Sequence, residues 1–217
     1  MRPDPAYRKI TADEFLAMEF GTDRKFELAD GVIVMMAGGT EPHAWVQGNI
    51  FVWLRMKLKG TRCRPYGPDM AVRITETDVR YPDVSIFCDQ RPRDELTEVR
   101  ALSDPTVVIE VLSPSTTTLD QGTKLDLYET LPSIRTIVFV DPINEMVRTR
   151  ERMAMGWYEQ MFSAQTGIVI PTLGITIPHD EIFARDRSPA KGHWRSAPAT
   201  LTQTHACPSS RPPPAHA

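Results

Sequence analysis

Ready-made catalytic motifs are missing from this chain of 217 residues. No GxSxG, HExxH, GxxxxGK(S/T) or GxGxxG occurs, so elbow-type hydrolase, zinc-protease, phosphate-loop and dinucleotide chemistry lack their signatures. Gly122-Thr123-Lys124 resembles the end of a phosphate loop, but the earlier glycine is absent and the segment reads as helix. Histidine is scarce. Of five, His193, His205 and His216 lie near the C-terminus, and His43 and His179 are too few for a histidine metal site. Cysteine is scarcer still: Cys63, Cys88 and Cys207 are odd in number and irregular in spacing, with no CxxC. Neither a disulfide framework nor a cysteine zinc site is expected, and a reducing compartment fits. Long apolar runs are lacking too. The longest uncharged stretch, 161–179, is broken by Gln165, Gly167, Pro171, Gly174 and Pro178 and reads as strand and turn. The opening MRPDPAYRK has no apolar run and predicts no signal peptide. A cytoplasmic protein is the expectation.

Positive charge in excess is also absent. The net charge is −3, from 25 basic and 28 acidic residues. Residues 186–217 contribute four basic residues and one acidic one, so 1–185 carry a net of −6. A protein that coats DNA or membranes by bulk charge is excluded. The same C-terminal stretch holds six prolines and few large aliphatics, and is expected to be a disordered tail (186–217) behind one domain (1–185).

The domain reads as alternating helices and strands. Thr11 with Glu14 three residues on is a capping box before a short helix. Residues 25–37 read as two strands about Asp30-Gly31, a tight-turn pair. In 43–59, Val46, Ile50, Trp53, Leu54 and Leu58 fall on one helical face, and Gly60 stops the helix. Three strands follow at 62–66, 69–75 and 81–88, then a polar loop at 90–103. The β-branched run 106–112 is a buried central strand. Turn chemistry at 113–118 leads into a helix over 119–131, a buried strand at 135–140, and a strand-rich end. The fold class is therefore α/β (α+β), a mixed sheet flanked by helices with a strand-rich C-terminal extension.

Two acids interrupt this apolar pattern. Asp83 follows Pro82 at the head of a strand, and Glu110 sits inside Val107-Val108-Ile109-Glu110-Val111-Leu112. A carboxylate there is costly unless paired, hydrogen-bonded or metal-bound. Two readings fit. Asp83 caps a strand while Glu110 pairs with one of nineteen arginines, or both acids meet at one sheet edge around a divalent cation. On the next helix, Asp120, Lys124 and Tyr128 share a face. Lys124 is either half of a solvated Asp120–Lys124 pair or a group brought back to the Glu110 strand. Arg62, Arg64, Arg73 and Arg80 either contact phosphates or solvate strand faces.

Taken in order, Arg80-Tyr81-Pro82-Asp83-Val84-Ser85-Ile86, Val108-Ile109-Glu110-Val111-Leu112-Ser113-Pro114-Ser115-Thr116, Asp120-x-x-x-Lys124-x-x-x-Tyr128 and Val140-Asp141-Pro142 resemble the Uma-type restriction-endonuclease family. Phe26-Glu27-Leu28-x-Asp30-Gly31 and His43 match its N-terminal pattern. The resemblance spans about 8–184 and implies membership of the PD-(D/E)XK superfamily, hence a restriction-endonuclease-like fold. It implies Asp83 and Glu110 as metal-binding catalytic acids, Mg²⁺ (or Mn²⁺) as cofactor and DNA as substrate. The superfamily's lysine normally stands two residues after the second acid, where this chain has Leu112. The resemblance implies that Lys124 supplies it from the following helix. Glu27 and Asp120 are secondary candidates, Glu27 being equally readable as a surface residue. His43 reads as a cap or a solvated residue. A homodimer is expected. The rival readings are a nuclease-like domain that binds nucleic acid or a partner protein without cutting, and a metal-dependent hydrolase of a small phosphorylated compound.

Overall fold

The computed structural model describes residues 8–88, 97–113, 118–162 and 166–185, with the backbone alone for 118–121. The expected tail at 186–217 and the turn residues 114–117 lie outside the described residues.

The chain opens with helix α1 (Ala12–Ala17), started by the predicted capping box: Thr11 accepts from the Glu14 N–H, and the Glu14 carboxylate accepts from the Thr11 N–H at 2.9 Å. Strands β1 (Phe26–Ala29) and β2 (Val32–Met35) form the predicted hairpin. Its turn residues Asp30 and Gly31 both have positive φ, 48° and 76°, and a side chain at Gly31 would collide with Lys9. Helix α2 (Glu41–Lys57) begins two residues before the predicted start, since Pro42 suits a first helical turn. It buries Val46, Ile50 and Leu54.

Where three strands were expected there are four: β3 (Arg64–Tyr66), β4 (Ala71–Arg73), β5 (Val79–Arg80) and β6 (Val84–Phe87). β5 precedes the expected run 81–88, and Pro82, with no N–H to give a ladder, stands between it and β6. The predicted loop contains a two-residue strand, β7 (Ala101–Leu102), too short for any periodic signal. Strand β8 (Val107–Val111), helix α3 (Thr118–Glu129) and strand β9 (Thr136–Asp141) stand where predicted. The strand-rich end is β10 (Met146–Met153), β11 (Gly156–Phe162), β12 (Ile168–Ile170) and β13 (Ile175–Ile177), closed by the short helix α4 (His179–Ile182).

A six-stranded sheet in the order β11-β10-β9-β8-β6-β3 is antiparallel except for the parallel pair β8–β9. A five-stranded sheet runs β2-β1-β5-β4-β7, and β12-β13 make a small third one. The expected mixed sheet flanked by helices is present. Alternation along β8 sorts its side chains onto two faces. Val107, Ile109 and Val111 join the core under α2, with Ile50, Leu54 and Ile182. Val108 joins the core under α3, with Leu125, Tyr128 and Phe139. Glu110 therefore points toward α3. Truncating a filled core position such as Ile109 costs about 2–5 kcal/mol, which is what fixes the sheet under the site.

Two sequence expectations are corrected. Cys63 and Cys88 are joined in a disulfide. They flank the antiparallel β3–β6 pair, whose register sets Arg64 opposite Phe87 and so carries the two cysteines to facing positions. Spacing along the chain cannot show this. Glu27, readable as a surface residue, is 7 % exposed.

Candidate active site

The β6–β8 register sets Val84 opposite Ile109, so one step further Asp83 faces Glu110. The head of β6 thus meets the tail of β8. Asp83 Oδ2 accepts the Val111 N–H at 2.7 Å, which ties the acid to the neighbouring strand. The same oxygen lies 3.2 Å from His43 Nε2, and Gln47 donates to the Asp83 carbonyl at 3.2 Å. Both come from the first half of α2, so the helix fixes Asp83 from behind. His43 is half-buried rather than solvated, and its Nδ1 is buried without a partner. Gly39 lies against that nitrogen, where a side chain would collide.

Glu110 is 7 % exposed. The Tyr128 hydroxyl donates to its Oε1 at 2.6 Å, and Lys124 Nζ lies 3.5 Å from the same oxygen. Lys124 and Tyr128 are one helical turn apart, so a single face of α3 delivers both groups. Burial pushes the Glu110 carboxyl up to about 7; Asp83 and Glu27 add to this, while Lys124 and the Tyr128 hydrogen bond pull the other way. Burial and then Glu110 hold the Tyr128 phenol well above its usual range, as a donor. The hydrogen bond to Asp83 raises His43, and the charges of Asp83 and Glu110 add to it against its burial.

Behind this group, Glu27 accepts the Tyr81 N–H at 3.1 Å and pairs with Arg80 at 3.4 Å. Arg80 also pairs with Asp78, and Arg73 with Asp13 and Glu76. Two of the four arginines considered for phosphate contact, Arg73 and Arg80, are thus paired with carboxylates. Asp83, Glu110 and Lys124 are brought together, and Glu27 stands behind them. Asp120 lies one turn before Lys124 on α3, its side chain outside the described residues. The partner of Lys124 shown here is Glu110. His43 and Tyr128 are the residues that sequence reasoning left without a role. The position of Tyr128 four residues after Lys124 was the available signal.

The Asp83 and Glu110 carboxylates make these contacts through one oxygen each, Oδ2 and Oε1. Among the described residues no group of three His, Cys, Asp or Glu is spaced to hold a metal ion. Two carboxylates plus water and substrate oxygens is nevertheless the donor set Mg²⁺ prefers, so the pair fits that ion. Among the described residues, no helix is long and apolar enough to cross a membrane.

Residues 12–178 match the model of the Uma2 family, described as "Putative restriction endonuclease". "Uncharacterized protein slr1290" of Synechocystis sp. is 27 % identical over 183 residues, covering 83 % of this chain and 95 % of that protein. "Uncharacterized protein sll1609" of the same organism is 27 % identical over 133 residues, covering 61 % and 75 %. The crystal structure of "a putative nuclease belonging to DUF820" from Anabaena variabilis superposes with a TM-score of 0.67 at 19 % identity, over 80 % of this chain and 97 % of that one. That likeness establishes a shared fold. The family match contains every residue of the site, from Glu27 through Asp83 and Glu110 to Lys124 and Tyr128, and the chain belongs to the Uma2 restriction-endonuclease family.

Proposed function

We propose that this protein is a metal-dependent endonuclease that hydrolyses phosphodiester bonds in DNA. The observation that carries the reading is the meeting of Lys124 Nζ with Glu110 Oε1 at 3.5 Å, beside the strand position that faces Asp83. It supplies from α3 the lysine missing at Leu112. Asp83 and Glu110 would hold Mg²⁺ (or Mn²⁺), which when bound neutralises charge on the phosphate and activates water. Lys124 orients the attacking water and offsets charge as it develops on the phosphate oxygens. Water gives a proton to solvent as it adds to phosphorus in line, the bond to the 3′ oxygen breaks, and that oxygen leaves as a hydroxyl with a proton taken from solvent. Tyr128 holds Glu110 in place, and His43 and the Val111 N–H hold Asp83. Glu27 is a positioning residue acting through Arg80 and Tyr81. The described residues hold one such site, so cutting both strands takes two copies; a homodimer gives twice 24.5 kDa by light scattering.

Incubation of supercoiled plasmid with purified protein and Mg²⁺ or Mn²⁺ gives nicked or linear DNA. Asp83→Ala, Glu110→Ala and Lys124→Ala each abolish it. Equal cleavage by wild type and all three variants refutes the assignment. The second reading, a nuclease-like domain that binds without cutting, is favoured by the absence among the described residues of a three-donor metal cluster. It is distinguished by a protein that neither cleaves DNA nor gains stability from either cation.

A further inference from the structure

Helix α1 and the starts of β1 and β4 enclose an open pocket of about 390 Å³. Three phenylalanines line it. Phe20 and Phe26 stack with ring centroids 4.4 Å apart and 24° between planes, and Phe15 tilts against Phe20 at 5.8 Å. Phe20 is 37 % exposed, so part of this aromatic cluster is open to solvent. An exposed aromatic face is a platform on which any nucleobase stacks.

Two guanidinium groups border the same pocket. Arg24 touches the Met35 sulfur at 3.2 Å, and Arg100 donates to the Leu16 carbonyl at 2.9 Å. Neither has a carboxylate partner among the described residues. Lys25, also on the rim, is paired with Asp69 and cancels it. Elsewhere Arg73, Arg80 and Arg150 are each neutralised by carboxylates. In a domain with a surplus of acids, two uncompensated cations beside stacked rings mark a place for an anion attached to an aromatic group.

The pocket shares two chain segments with the candidate active site. Its wall includes Tyr81, two residues before Asp83. Strand β1 serves both places: Phe26 lines the pocket, while Glu27, pointing the opposite way, bonds Tyr81 and Arg80. A larger basic pocket with Arg55, Lys59 and Arg64 lies at the C-terminal end of α2. His43 starts that helix, so the larger pocket is roughly 20 Å from the site by helical rise.

We propose that the pocket beside Tyr81 takes one unpaired base of a DNA substrate, stacked on Phe20, with Arg24 and Arg100 on the adjacent phosphates. If the protein is the nuclease proposed for it, cleavage is then directed to single-stranded, bulged or mismatched sites. A base that is already unpaired enters without the cost of unstacking a duplex.

Binding is measured in EDTA, where no hydrolysis occurs, with a short single-stranded DNA carrying one 2-aminopurine. The expected result is a fall in its fluorescence as the base stacks, and weaker binding of a fully paired duplex. Phe20→Ala weakens binding roughly tenfold or more and removes the quench; Phe20→Trp restores both. Arg100→Gln, an exposed change that leaves the core untouched, lowers the slope of log K against log salt by roughly 0.7, one phosphate contact on a single strand. Equal binding of single strand and duplex, or an unchanged quench in Phe20→Ala, overturns the proposal. With Mg²⁺ added, cleavage that ignores unpaired bases overturns it while leaving the nuclease reading in place. Quenching without cleavage supports the pocket and removes the nuclease reading.

Discussion

Glu110→Gln exposes the electrostatics of the site without any cleavage assay. The Glu110 carboxyl is raised from 4.5 to about 7, chiefly by burial. At about 1.36 kcal/mol per unit, ionising it in the folded protein costs about 3 kcal/mol more than in the unfolded chain. Between these two values the folded state binds more protons than the unfolded state. Wild-type stability therefore falls as pH rises from about 4.5 to about 7, then levels off. Glutamine imitates the neutral acid: it keeps a carbonyl oxygen for the Tyr128 hydroxyl and carries no charge. Urea unfolding of both proteins across this range is expected to give similar stability near pH 4.5. At about pH 8 the variant is more stable, by an amount approaching 3 kcal/mol. Mg²⁺, which needs the ionised form, raises the melting temperature of the wild type alone. A variant less stable than wild type at pH 8, or a difference that does not change with pH, refutes the reasoning.

Tyr128→Phe removes the donor that favours ionised Glu110, so the acidic limb of the cleavage profile moves to higher pH, and calorimetry registers a loss of about 1–3 kcal/mol for the hydrogen bond missing from the buried carboxyl. His43 is raised by its hydrogen bond to Asp83, so its stabilising effect is complete below the usual histidine value and is lost as pH climbs through the raised one; thermal melts of His43→Gln should differ from wild type on the acid side and converge on the alkaline side. Cys63→Ser opens a loop with 25 residues of separation and is expected to cost about 3 kcal/mol in urea unfolding, with the Asp83 and Glu110 site unchanged.

Much of the site's scaffold was legible because it is local. The run Val107-Val108-Ile109 cannot be anything but a buried strand, and an acid inside it declares itself by the cost of burying it. Asp30-Gly31 fixes its hairpin by backbone conformation alone. The strands β5 and β7 were not legible, since two residues carry no periodicity and owe their pairing to neighbours far along the chain. His43 meets Asp83 across 40 residues of sequence, and Cys63 meets Cys88 across 25. Both meetings are products of strand register and helix placement, which a single sequence does not contain. Lys124 lay between the two cases. Its helix was plain, but only the packing of α3 on the Glu110 face of β8 decides between a solvated lysine and one held against a buried acid.

Three groups in the site answer to the same field. Glu110 is raised by its burial and by Asp83 and Glu27, His43 by Asp83 and Glu110, and Tyr128 by its burial and by Glu110. The carboxylates Glu27, Asp83 and Glu110 face two opposing side-chain cations, Arg80 and Lys124, and Arg80 is shared with Asp78. The site is therefore short of positive charge at neutral pH, and it partly makes up the deficit with protons on Glu110 and His43. A divalent cation would supply that charge without protons and return both groups toward their ordinary values. On the proposed function, protons and metal would compete for one place. The negative balance of the domain, which argues against binding DNA by bulk charge, would at this point be the condition for holding a metal.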